Sequence, residues 1–147
     1  MVNIFDAPAE KVVRDVADEL KKQKGMQPPE WAKYCKTGVQ KERAPVAKDW
    51  WYLRSAAVLR SIYKLGPVGV AKLRVRYGGR KRRGHKPGEF RKGSGNVIRT
   101  ILQQLETCQL AQKSNHARRK GRVVSPKGLS LLAKAAKKHI PVKPKNE

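Results

Sequence analysis

Relative to its total charge, carboxylates are what this chain has least of. Only 11 Asp and Glu accompany 35 Lys and Arg, leaving a formal net charge of +24 over 147 residues. From Trp50 to Leu105 the single acid is Glu89. Metal-dependent nucleases and phosphoryl-transfer enzymes hold divalent ions between clustered carboxylates. The basic half offers only Glu89 and Glu106, and it carries no P-loop, so that chemistry is not expected. His85, His116 and His139 are scattered, with no Cys or Asp at ligand spacing, and read as surface or contact residues. No catalytic residue, metal, cofactor or small-molecule substrate is expected. A ribonuclease working by histidine acid–base chemistry alone is the one enzymatic alternative left open.

Cysteine is sparse too. Cys35 and Cys108 stand alone, and Asp6 and Glu10 interrupt any apolar leader, so two reduced, buried thiols in an intracellular protein are expected. No apolar run approaches the 18 or so residues that would suggest a membrane span.

What is present is a core under a basic coat. Hydrophobic residues make up 39% of the chain and include three tryptophans, too many for a disordered polycation. The acids that do occur gather early, with Asp6, Glu10, Asp15, Asp18 and Glu19 in the first twenty residues. The basic residues gather from Lys72 to Lys92, KLRVRYGGRKRRGHKPGEFRK, where Tyr77 and Phe90 sit among ten Lys and Arg. Such a one-signed block repels itself unless a polyanion neutralises it, and nucleic acid is the usual polyanion. Its glycines allow close approach of backbone N–H groups to a phosphate. The plainer alternative is a disordered basic loop or a localisation signal.

Periodicity places five helices. Asp6 is expected to cap the first, with Val12, Val13, Val16, Ala17 and Leu20 on its buried side and Gly25 ending it. PPEWAKYC reads as a short turn of helix pinned by Trp31 and Tyr34, and 37–48 as a surface loop. A central amphipathic helix is expected over 49–65. On it, Trp50 and Arg54 are one turn apart and able to meet as a platform for ribose or base. The simpler role for Trp50 is core filler, and that for Arg54 is bracing the fold. Arg60 and Lys64 are like-charged neighbours that a phosphate would relieve. Gly66-Pro67 is expected to start a third helix at Pro67, ending at Gly78-Gly79. The basic stretch 80–92 then reads as a loop that does not order without RNA, because it buries too little apolar surface. Ser94 caps a helix striped by Val97, Ile98, Ile101, Leu102 and Leu105. Leu110–Gln112 and Arg122–Val124 form a hairpin with a basic tip, and Ser125-Pro126 starts the last helix.

The fold class is therefore mainly α, a winged-helix-like domain around a central amphipathic helix with a small two-stranded β-hairpin. It occupies 1–140 as one unit, with 67–124 in winged-helix order and 141–147 a flexible basic tail. Winged helices set a helix and a hairpin tip against nucleic acid, though many bind proteins. The basic residues fall in three places: the loop (Arg80, Lys81, Arg82, Arg83, His85, Lys86), the helix start (Lys92 and Arg99, with the cap Ser94 as a further candidate contact) and the hairpin tip (Arg118, Arg119, Lys120). They converge only if the fold brings them to one side. A DNA-binding regulator of the same order remains an alternative, although its readout residues belong on the second helix rather than in the loop before it.

The runs DWWYLRSAAVLRSIY, GPVGVAKLRVRYGGRKRRGH, GSGNVIRTILQQLE and GRVVSPKG resemble the small-ribosomal-subunit protein nineteen family of eukaryotes and archaea. The resemblance runs from Val2 to about His139, and DAPAEKV and PPEWAKYCKTG look like the archaeal members. The basic segment 113–122 is longer than the glycine-rich turn of relatives. The resemblance implies a cytoplasmic, non-enzymatic constituent of the small subunit, bound to 16S-type rRNA in the subunit head. It also implies contact with neighbouring small-subunit proteins, a monomeric state within the ribosome and a part in subunit assembly and rRNA maturation. Carried over residue by residue, Trp50, Arg54 and Arg60 match the family's central-helix patch. Arg80 matches the residue after its paired glycines, and Arg99 its arginine on the later helix.

Overall fold

The computed structural model describes residues 3–114 and 120–140. Helix α1 spans Ala9–Lys21, α2 Trp50–Leu65, α3 Val70–Arg76, α4 Gly95–Thr107 and α5 Pro126–Lys137. Strands β1 (Gly79–Arg83) and β2 (Lys86–Arg91) pair antiparallel, as do β3 (Ala111–Lys113) and β4 (Arg122–Val124). The chain is mainly helical and winged-helix-like, with one hairpin more than expected.

Helix α2 lies at the centre because it is apolar on more than one side. It buries Trp51, Ser55, Ala56, Val58, Leu59, Ser61 and Ile62. Around it pack Val12, Val16 and Leu20 of α1, Leu73 of α3, the full Val97, Ile98, Ile101, Leu102 and Leu105 stripe of α4, and Leu132 of α5. Each such side chain contributes about 1.5–3 kcal/mol when removed from water. Gln104 ties the centre together. Its amide oxygen accepts from the Trp51 indole N–H at 2.9 Å, while its amide nitrogen donates to the Gln27 carbonyl at 2.6 Å.

Several local expectations change. Pro8, not Asp6, stands at the N-cap of α1, and Asp6 instead accepts from the Asn3 amide at 3.2 Å. The helix stops at Lys21, before Gly25, which lies in a short 3-10 turn over Lys24–Met26. A Cβ on Gly25 would come within 2.8 Å of the Cys108 sulfur, so close packing is the reason for that glycine. Trp31 does pin its 3-10 turn, meeting Trp51 edge-on at 5.6 Å, but Tyr34 is 86% exposed because the chain turns away after Lys33. Helix α3 begins at Val70 rather than Pro67. Val68 is extended and exchanges both backbone hydrogen bonds with Arg122, at 3.1 and 2.9 Å, which lays a third chain segment beside β4.

The largest correction concerns 80–92. It is an antiparallel ribbon, not an irregular loop. The strands join through Gly84-His85, with Gly84 at φ +67°, in the left-handed region a two-residue connection needs and glycine enters freely. Cross-strand pairs Arg80–Phe90 and Lys81–Glu89 follow, with a register shift between Lys81 and Arg83. Ser94 and Ser125 cap α4 and α5 as expected, accepting from Val97 N–H at 3.4 Å and Gly128 N–H at 3.1 Å. Leu131 and Leu132 pack inward, whereas Leu129 is largely exposed.

Candidate nucleic-acid interface

Arg54 is half-buried on α2, and its guanidinium carbon lies 4.6 Å from the Tyr77 ring centroid. The expected Trp50–Arg54 platform is therefore replaced. Trp50 packs edge-on against Trp51 at 5.3 Å as part of the core margin, and Tyr77 supplies the ring for Arg54. Burial lowers the Arg54 pKa and the neighbouring Tyr77 partly offsets the shift, but guanidinium keeps its charge in proteins. The ring itself is fixed. Ser61 Oγ donates to the Ala57 carbonyl at 2.8 Å, so its lone pairs face Tyr77 Oη at 2.9 Å and Arg76 Nε at 3.1 Å. A hydroxyl has one proton, hence Tyr77 and Arg76 are both donors to it.

Arg60 does not join this group. At 3.6 residues per turn it lies about 120° around α2 from Arg54. There its guanidinium carbon is 5.7 Å from the Phe5 ring, which in turn rests on Tyr63 at 5.4 Å. Arg60 Nε is buried with no hydrogen-bond partner among the described residues. Lys64 is exposed on the same flank. The central-helix residues thus serve two surfaces.

The ribbon sorts its charges by face. Directly opposed residues share a face, and neighbours along a strand alternate. On one face Glu89 pairs with Arg83 at 3.1 Å and Arg91 at 2.9 Å, and Arg83 also donates to the Pro87 carbonyl at 3.0 Å. The other face carries Arg80 and Phe90, with Gly78 and Gly88 on its diagonals and no acid. Arg80, Lys81, Arg82, His85 and Lys86 make no ion pair among the described residues, and all but the half-buried Lys81 are exposed.

At the foot of the ribbon the charges meet the start of α4. Lys36, Arg74, Lys81 and Lys92 line a cleft of about 360 Å³ with Gly38, Gly93 and Ser94. Arg74 and Lys36 were not foreseen as site residues. Arg74 Nε donates to the Gly93 carbonyl at 3.1 Å, and Gly93 N–H returns a bond to the Arg74 carbonyl at 2.9 Å. A Cβ on Gly93 would sit 2.9 Å from the Tyr77 carbonyl oxygen, so only glycine allows this join. Ser94 is engaged as the cap, and its N–H donates to Thr37 O at 3.0 Å, which makes it a positioning residue here. No acid lies in the first turn of α4, leaving its positive end uncompensated. Arg99 is exposed on α4 beside Asn96 and Gln103, and Lys120 is exposed near β4. The cleft thus brings Lys81 of the ribbon together with Lys92 and Ser94 at the start of α4. Arg118 and Arg119 lie outside the described residues.

Elsewhere, His139 Nε2 and Asp15 Oδ2 are 2.9 Å apart, joining the turn after α5 to α1. Both cysteines are free and half-buried, and burial pushes both thiols up in pKa. Among the described residues no helix is long and apolar enough to cross a membrane, and no group of three or more His, Cys, Asp or Glu could hold a metal ion.

Comparison with known proteins adds independent observations. The family model described as Ribosomal protein S19e matches residues 3–141. A small ribosomal subunit protein eS19 from Aeropyrum pernix is 47% identical over 139 residues, 93% of this chain and 89% of that one. The eS19 of Thermoplasma acidophilum is 39% identical over 137 residues, again 93% and 89% of the two chains. The eS19G of Ascaris suum is 41% identical over 134 residues, covering 91% and 89%.

Proposed function

This chain belongs to the ribosomal protein S19e family, and from that premise we propose that it is a structural constituent of the small ribosomal subunit. In this reading it binds rRNA of the subunit head through the ribbon, the start of α4 and the Arg54 corner of α2. It acts as a monomer beside neighbouring ribosomal proteins in the cytoplasm, and supports subunit assembly and rRNA maturation without catalysing a reaction.

One observation carries the reading. The ribbon and the start of α4 hold Arg80, Lys81, Arg82, Lys86, Lys92 and Arg99 with no ion pair among the described residues, while Glu89 is engaged by Arg83 and Arg91. Several kT of positive potential at one site draws in a polyanion. RNA in A-form hides its base edges in a deep, narrow groove, so recognition runs through phosphates, 2′-hydroxyls and unpaired bases. Arginine suits that task because its planar fork grips a phosphate at two points and stacks on flat groups. Specificity then follows from where the folded RNA sets its phosphates.

In-cell crosslinking with sequencing of the nucleic acid and mapping of the peptides tests this. The expected result is a narrow peak in head rRNA, with peptides from 50–64 and 78–99. Dispersed chromosomal DNA would overturn it in favour of a winged-helix regulator.

A further inference from the structure

Phe90 is the one aromatic on the ribbon, and it is 53% exposed. Burial does not explain its presence, because a solvated basic ribbon gains little from a phenyl ring. Its surroundings are also arranged around it. Phe90 pairs directly with Arg80 across the strands, so both project from the face that Glu89 does not neutralise. Gly78 is bare beneath the ring: a Cβ there would stand 2.6 Å from Phe90 Cζ. Gly88 is bare beneath the arginine in the same way, since a Cβ there would collide with Arg80 Nε. Two glycines therefore let one ring and one guanidinium lie down on the same face of the ribbon, the ring toward its foot over Gly78 and the guanidinium toward its turn over Gly88.

From this geometry we infer that Phe90 forms a stacking site for an unpaired nucleobase, with Arg80, further along the same face, taking a phosphate of the same strand. The inference rests on the RNA-binding reading and deepens it. A base has an aromatic face of matching size whatever its identity, so the site tolerates any sequence and selects for an unstacked nucleotide. The density of cations favours a polyanion over a protein surface as the source of that flat group.

The test uses the full chain and a short single-stranded RNA carrying one 2-aminopurine, whose fluorescence falls on stacking. The wild type is expected to quench the probe. Phe90→Leu, close in volume, should abolish quenching and weaken binding about tenfold, with the salt slope unchanged because no charge is lost. Phe90→Tyr should restore both, and Arg82→Ala should keep quenching while lowering the slope by about one. If Phe90→Leu quenches and binds as the wild type does, the stacking site is wrong and the exposed ring belongs to a protein contact. If Phe90→Tyr fails to rescue, the loss is structural and the inference also falls. Absence of any salt-dependent RNA binding by the wild type would instead overturn the RNA-binding reading itself.

Discussion

The guanidinium of Arg54 rests over the ring of Tyr77 at 4.6 Å, and the hydroxyl of that ring is held at 2.9 Å by Ser61, two turns further along the helix that carries Arg54. The stack joins α2 to the end of α3, directly before the ribbon begins. It fixes a flexible side chain in a partly buried position, where a cation–ring contact contributes about 0.5–2 kcal/mol.

Replacing Tyr77 by Phe should therefore separate two roles. The stack survives, but Ser61 loses a donor, at a cost of about 1 kcal/mol and a fall in melting temperature of about 3 °C. Arg54→Ala should lower affinity for head rRNA about tenfold in a filter-binding titration. Equal RNA affinity for Arg54→Ala and the wild type would confine Arg54 to bracing the fold.

Glu89 should act as a brake on the ribbon's charge. Glu89→Gln releases Arg83 and Arg91, so log affinity for RNA is expected to fall more steeply with log salt than in the wild type. Arg82→Ala should reduce the slope by about one, and Arg83→Ala by less, since Arg83 already shares a carboxylate. Identical slopes for Arg82→Ala and Arg83→Ala would contradict the sorting of charge by face.

At the start of α4, Ser94 acts on stability. Ser94→Ala removes the acceptor for Val97 N–H and is expected to cost about 1 kcal/mol, with Ser94→Asp close to the wild type. Urea unfolding measures this. The RNA salt slope of Ser94→Ala should match the wild type, and a shallower one would give Ser94 a direct phosphate contact.

Amide exchange should rank the elements. A lone two-stranded ribbon is marginally stable in water, and this one buries almost no apolar side chain. Amides of Gly79–Arg91 are expected to exchange orders of magnitude faster than those of α2 and α4 in the free protein, and to slow on RNA binding. Ribbon amides protected like those of α2 without RNA would show that Glu89 and the turn suffice.

Thiol chemistry offers a further check. Burial raises the pKa of both Cys35 and Cys108, which leaves less thiolate at a given pH. Both should alkylate with iodoacetamide more slowly than a free cysteine near pH 8, and at the free rate once urea unfolds the chain. Rapid labelling of the native protein at either position would show the site to be open.

How far the sequence led depends on what kind of signal each element left. Helix α4 was legible because a cap and a buried stripe at helical spacing are both local, and all five expected stripe residues are buried. The ribbon was not, because strands are read from alternating β-branched or aromatic residues, and Arg80 to Arg83 alternate nothing. Its visible signals were Gly84 ahead of His85 and the opposed Lys81 and Glu89, which mean little until the register is known. The basic cluster itself was found, since charge density needs no fold to be seen. Tyr77 and Arg74 were missed as site residues because their partners Arg54 and Gly93 are distant in sequence. The reach of a side chain across a corner is a tertiary fact.

The amide of Gln104 has a bearing on the order in which the chain folds. It spans 77 residues to the Gln27 carbonyl and 53 to the Trp51 indole. Contacts this far apart close large loops, so they form after the local turns of α1 and α2. While the chain is being synthesised, the Trp51 indole keeps water as its partner until α4 has emerged. The emission of Trp51 would therefore shift to the blue only when residue 104 arrives, marking the moment at which separate helices become one body.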